Sequence, residues 1–325
     1  MTTIFARFFI GIFLFSIIVY FIPEPVRTSA KAQLDTDYNY SDIPAMPSDL
    51  KIFDSISYRE GKKKAWKLDL IMQKEKGPKK RPAIVFVHGG GWHSGDKGRG
   101  FFRTGAIEYA RKGYVCISIN YRLSDEAPFP ACVEDVKCAV RWLRAHAEKY
   151  HVDPERIGGY GNSAGAHLVC MLGLVKKNAN MEGDGPWQEY SSQLNAVCAA
   201  ATPTDFTNWP GGFETKSSLR QLLKAPNTNI HEQAAKASPI NHVHSKAPPF
   251  LLFHGIQDHL VDVSQADRFV EALKSAGAKD INYHRFEASG HGVFSQCRKE
   301  THRLMEEFFA RTLMKQERSL SQAQP

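Results

Sequence analysis

Three side chains in the second half of the chain have the types and the order that nucleophilic catalysis needs. Ser163 sits in Gly161-Asn162-Ser163-Ala164-Gly165, Asp258 in His254-Gly255-Ile256-Gln257-Asp258, and His291 in Ala288-Ser289-Gly290-His291-Gly292. A serine hydroxyl attacks well only when an imidazole takes its proton, and the imidazole needs a carboxylate to orient it and steady its cation. A G-x-S-x-G pentapeptide between an apolar strand and a helix reads as a nucleophile elbow, which lifts the hydroxyl clear of a sharp turn. Alone the pentapeptide is weak, because glycine and serine are common in loops. Here Ile157-Gly158-Gly159-Tyr160 precedes it, and Ala166-His167-Leu168-Val169-Cys170-Met171-Leu172 follows. Gly161 and Gly165 fit a crossing of strand and helix too close for a Cβ.

Acyl chemistry also requires donors for a developing oxyanion. The N–H of Ala164 is one, set by the turn. Gly90 and Gly91, in His88-Gly89-Gly90-Gly91-Trp92, are the others, since glycines let the backbone turn its N–H groups inward. The two motifs are independent in sequence and complementary in chemistry.

Other candidates have plainer readings. His88 reads as a structural hydrogen-bonding residue. Asp262 could replace Asp258 as the acid, but it lies further from its strand. His284 falls inside a strand and His302 on the last helix, both structural or exposed. Asp135 and Arg122 read as ties between loops. His242 and His244 lack a third ligand at metal spacing, and no cofactor or metal is called for. Trp92 and Trp209 either wall a pocket or fill space.

The elements that must position these residues follow from the pattern of apolar runs. Residues 51–59 and 65–72 alternate as a strand hairpin. Residues 82–87 form a continuous apolar run, the mark of a strand buried on both faces, and 114–119 another. Further strands are expected at 157–160, 196–201, 250–255 and 281–286, with helices over 100–112, 131–150, 166–172, 217–224, 264–276 and 294–314. Residues 203–246 otherwise read as irregular. Buried strands alternating with helices predict an α/β fold, a mostly parallel central sheet with helices on both faces in a three-layer sandwich. Strand carboxyl ends are where such sheets gather ligands and catalysts, and Ser163, Asp258 and His291 all follow strands.

Composition sets the frame. The 325 residues are 42% hydrophobic and 23% charged, with a formal charge of +8, which suits a soluble domain with a large core. No basic run is interleaved with aromatics, so nucleic acid is not an expected partner. The lysines around residues 62–81 read as a solvated face. Arg7 followed by an apolar stretch from Phe8 to Ile22 and the small-residue site Ala30-Lys31-Ala32 fits a secretory leader, residues 1–32, cleaved after Ala32. An uncleaved anchor is the alternative, although about 15 apolar residues is short for a bilayer. A linker (33–50), one domain (51–314) and a polar tail (315–325) complete the expected organisation, with an exported product and no stable membrane span. Cys116, Cys170 and Cys198 read as core; six cysteines without a C-x-x-C give no metal or redox motif and leave one disulfide open.

Taken together, His88-Gly89-Gly90-Gly91-Trp92, Tyr121-Arg122-Leu123, Gly161-Asn162-Ser163-Ala164-Gly165, His254-Gly255 with Asp258, and Gly290-His291-Gly292 resemble the α/β-hydrolase superfamily. More narrowly they resemble its bacterial esterase/lipase branch, related to hormone-sensitive lipase and to secreted feruloyl- and acetyl-esterase-like proteins. The resemblance implies an α/β-hydrolase fold and a serine carboxylic-ester hydrolase acting on short-chain acyl or carbohydrate esters. It implies Ser163, Asp258 and His291 as the triad and Gly90, Gly91 and Ala164 as the oxyanion hole. Asn162 stands where many relatives carry Asp, and Ala166 where many carry Gly; the N-terminal segment is too short for a helical cap. A prolyl-oligopeptidase-like peptidase is one rival, with too little chain before His88 for a propeller. A non-catalytic binding protein on the same fold is another.

Overall fold

The apolar runs at 81–87, 115–119, 196–200 and 250–255 become strands with no exposed face. In the computed structural model, which describes residues 28–30, 47–75, 77, 79–224 and 229–314, every residue of Arg81–Val87 is buried. Val85 and Val87 point into one apolar core and Ile84 and Phe86 into another. Each fully buried side chain of this size contributes about 1.5–3 kcal/mol, so both sheet faces must be covered. The leader core, most of the linker and the tail from 315 lie outside the described residues.

In chain order the elements are β1 (Thr28–Ala30), β2 (Leu50–Ser57), β3 (Lys67–Gln73), β4 (Arg81–Val87), α1 (Gly100–Arg111), β5 (Val115–Ile119), α2 (Ala131–Ala145), α3 (Ala147–Tyr150) and β6 (Val152–Asn162). There follow α4 (Ala164–Leu174), β7 (Ala196–Ala200), α5 (Ser217–Leu223), α6 (Ile230–Ala237), β8 (Phe250–Gly255), α7 (Ser264–Ser275), β9 (Ile281–Phe286), α8 (Val293–Gln296) and α9 (Arg298–Leu313). Among the described residues the strands form one sheet in the order β1-β9-β8-β7-β6-β4-β5-β3-β2. The pairs from β1 through β9, β8, β7, β6 and β4 to β5 are parallel. The hairpin β2–β3 joins antiparallel at the β5 edge. Helices α2, α4 and α7 cover one face, and α1, α8 and α9 the other. This is the α/β-hydrolase fold, in three layers.

The sheet's winding locates the site. From β4 the chain moves outward to β5, then returns to the opposite side of β4 as β6. A crevice opens at such a reversal, at the carboxyl ends of the strands. His88–Gly91 leave β4 there, and Ser163 leaves β6.

The differences from the expected elements are local. The helix expected over 131–150 breaks at His146 into α2 and α3, and the closing helix breaks at Cys297 into α8 and α9. Within 203–246 lies α6, whose buried apolar residues are only Ala234 and Ala237. Alanines give weak periodicity. Its start is fixed by Asn229, whose side chain accepts from His231 N at 2.9 Å. Strand β6 begins at Val152, five residues before its apolar run, because Arg81 pairs with Val152 across a register shift. β1, inside the expected leader, lies parallel to β9 at the sheet's outer edge. All six cysteines are buried and unpaired. Among the described residues no helix is long and apolar enough to cross a membrane.

Candidate active site

The turn after β6 is as tight as its glycines suggest. A Cβ on Gly161 would stand 2.2 Å from Gly165 O, and one on Gly165 would stand 2.0 Å from Val87 O. Both contacts are with backbone, which cannot swing aside. Between them Ser163 takes φ 55°, ψ −121°, a strained conformation for a side-chain-bearing residue that the surroundings must hold. Ser163 N donates to Ala200 O at 2.9 Å, and Ser163 O accepts from His167 N at 3.0 Å. The residue is thus pinned to β7 on one side and to the first turn of α4 on the other.

His291 and Asp258 arrive from the loops after β9 and β8. His291 Nε2 lies 3.0 Å from Ser163 Oγ, and His291 Nδ1 lies 2.8 Å from Asp258 Oδ2. The carboxylate can only accept, so Nδ1 carries the proton and Nε2 presents its lone pair to the hydroxyl. Asp258 Oδ1 accepts from the N–H groups of Leu260 and Val261, both at 2.9 Å. Burial pushes this carboxyl's pKa up, but bonds from His254, His291 and Val261 outweigh that and hold it well below the usual carboxylate range. It is therefore a buried anion fixed on both oxygens, which is what steadying an imidazolium requires.

The loop after β4 approaches the serine from the other side. Gly90 has φ 113° and Gly91 φ 59°, and a Cβ on Gly90 would meet Ser94 O at 2.2 Å. Gly90 O accepts from His93 N at 3.2 Å, Ser94 N at 3.0 Å and Ser94 Oγ at 2.9 Å. The carbonyl is thereby occupied within its own turn. Gly90 and Gly91 line the same cavity as Ser163 and His291, and Ala164 is the first residue of α4, where N–H groups have no intrahelical partner. His88 behaves as expected. Its Nδ1 lies 2.8 Å from Gly89 O, its ring stacks on Tyr121 at 4.4 Å, and Tyr121 Oη donates to His88 O at 2.9 Å. Burial lowers the His88 pKa to about 4, so it is a neutral strut.

The cavity has a volume of about 620 Å³ and two kinds of wall. Phe102, Trp209, Leu219 and Leu260 are apolar; His93, Ser94, Lys216 and Ser218 are polar. Trp92 and Trp209 both line it, and the Trp92 indole also donates to His167 Nδ1 at 3.1 Å.

The remaining candidates lie elsewhere. Asp262 Oδ1 accepts from Ser264 N at 2.9 Å at the start of α7. His302 packs on Phe101 and Phe294, His284 packs near Phe253, and the His242 Nε2 lies 2.7 Å from Lys236 O. Arg122 and Asp135 form a two-pronged ion pair at 2.8 and 2.9 Å. Sequence reasoning missed His254 as a neighbour of the acid. It is fully buried, and its Nε2 lies 3.4 Å from Asp258 Oδ2 and 2.8 Å from Val261 O. The four-residue spacing from Asp258 was the available signal. It also missed His167, which a helical spacing of four from Ser163 could have drawn out.

Comparison with known proteins follows the same lines. Residues 68–273 match the BD-FAE family. Esterase LipC of Mycobacterium tuberculosis is 31% identical over 229 residues, covering 69% of this chain and 56% of that protein. The chain spans about half the length of the curated relatives it matches. Among solved structures, a truncated carbohydrate esterase from gut microbiota superposes with a TM-score of 0.75 at 25% identity, covering 84% of this chain and 99% of that one. The propionate-bound Est2 esterase of Thermogutta terrifontis gives 0.67 at 29% identity, covering 84% and 98%.

Proposed function

The chain belongs to the BD-FAE family, and from that premise we propose that it is a serine carboxylic-ester hydrolase. The observation that carries this reading is the continuous relay from Ser163 Oγ through His291 to Asp258, at 3.0 and 2.8 Å, opening onto the cavity. His291 Nε2 takes the hydroxyl proton as Ser163 Oγ attacks the ester carbonyl. The N–H groups of Gly90, Gly91 and Ala164 receive the charge that develops on the carbonyl oxygen. His291 returns its proton to the departing alkoxide, leaving an acyl-serine. Water, deprotonated by His291, then attacks the acyl carbonyl; collapse frees the acid and returns the proton to Ser163. Asp258 stays ionised throughout.

Short acyl groups on small or carbohydrate alcohols are the proposed substrates. The apolar wall suits an acyl chain and the polar wall a hydroxyl-rich alcohol, and the names of the carbohydrate esterase and the propionate-bound esterase are in keeping with this. Residues 1–32 are proposed as an export leader, whose removal would take β1 from the sheet edge; N-terminal sequencing of the exported protein would reveal Gln33 first. For the chemistry, the test is reaction with a fluorophosphonate followed by peptide mapping. The adduct is expected on Ser163, and an unmodified Ser163 would refute the nucleophile assignment.

A further inference from the structure

The glycine loop has no side chains of its own at residues 89–91 to hold it against the nucleophile helix, so something adjacent must set the distance. Trp92 follows directly, with φ 60° and 4% exposure. Its indole N–H donates to His167 Nδ1 at 3.1 Å. His167 is fully buried on α4, four residues after Ser163, and its own N–H donates to Ser163 O. An indole can only donate, so His167 Nδ1 is a bare acceptor and the ring proton is on Nε2. That proton goes to Ala237 O at 2.8 Å, the last residue of α6. Phe206 closes the cluster, 5.6 Å from the Trp92 ring and 5.1 Å from the His167 ring. Every side-chain polar atom of the pair is used, in one tautomer.

We propose that His167 is a positioning residue for the oxyanion loop, a strut that ties the Gly90–Gly91 backbone through the Trp92 indole to the helix carrying Ser163. The inference rests on reading Gly90 and Gly91 as oxyanion donors. A polar link suits the task better than apolar packing, because a hydrogen bond fixes distance and direction while packing fixes only volume. The donors matter in the transition state more than in the ground state, so slackening the strut should reduce kcat and leave KM nearly unchanged.

The test compares the full chain with Trp92→Phe, His167→Gln and the double variant, measuring kcat, KM and thermal midpoint on 4-nitrophenyl acetate. Losing one oxyanion donor costs about 10²–10³ in rate, so a misplaced donor pair should cost about tenfold in kcat. Because one bond links the two residues, the double variant should lose no more than the worse single variant. Variants that keep kcat within twofold while the thermal midpoint falls, or losses that multiply in the double variant, would overturn the strut. Should the variants not fold, nitrogen-15 shifts of the wild-type imidazoles decide it: an Nδ1–H tautomer at His167 would overturn it and the Nε2–H tautomer uphold the bond. A wild-type protein without esterase activity would instead refute the underlying reading.

Discussion

Acid should unfold this protein early, and two buried imidazoles set the scale. His88 and His167 are 2% and 0% exposed, and burial lowers the pKa of each from 6.5 to about 4. Asp96 and Lys64 act on His88 in opposite directions, and His242 is the titratable group that acts on His167. Because the folded pKa lies below the unfolded one, the unfolded chain binds the extra proton. The stability is therefore complete above pH 6.5 and drains away as pH falls through about 4. Each pKa unit is worth about 1.4 kcal/mol, which makes the loss at pH 5 about 2 kcal/mol per histidine, or about 4 kcal/mol for both. That is a large share of the roughly 5–15 kcal/mol that holds a typical domain together. Urea unfolding of the wild type and of His167→Gln at pH 7 and pH 5 measures it. The variant should lose about 2 kcal/mol less than the wild type between the two pH values. Equal losses in the two proteins would refute the claim that His167 is held neutral by burial.

Two other predictions concern the site directly. Asp258→Asn keeps the shape of the acid but offers an amide where His291 Nδ1–H now finds an anion at 2.8 Å; kcat on a short ester should fall by about 10³–10⁴ with the fold intact by circular dichroism. Gly165→Ala puts a Cβ 2.0 Å from Val87 O, so the elbow must shift; soluble yield or kcat should fall at least tenfold, as a displacement of about 1 Å at the reacting atoms can cost about 10² in rate.

Much of this architecture was legible in the sequence, and the exceptions have physical causes. Residues 82–87 and 250–255 declared themselves as buried strands because both their faces meet apolar cores. Gly161 and Gly165 declared the crossing of β6 and α4 because only glycine fits there. The order Ser163, Asp258, His291 was readable because each residue follows a strand of a sheet whose winding brings the strand ends together. Helix α6 was not, since alanines carry its buried face and an Asn229 side chain its start. His167 and His254 escaped because a buried histidine in an apolar stretch looks alike whether it fills space or holds a partner. Trp92 could not be assigned to wall or filler, and the structure gives it both cavity contact and a directed bond.

Ser163, drawn into the relay with His291 and Asp258, is proposed to open carboxylic esters. The most direct test is hydrolysis of 4-nitrophenyl acetate, butyrate and decanoate by the wild-type chain beside Ser163→Ala. Turnover of the two shorter esters is expected, with weaker turnover of the decanoate and a loss of at least about 10³ in kcat in the variant. Equal rates in the two proteins, or none in either, would contradict it.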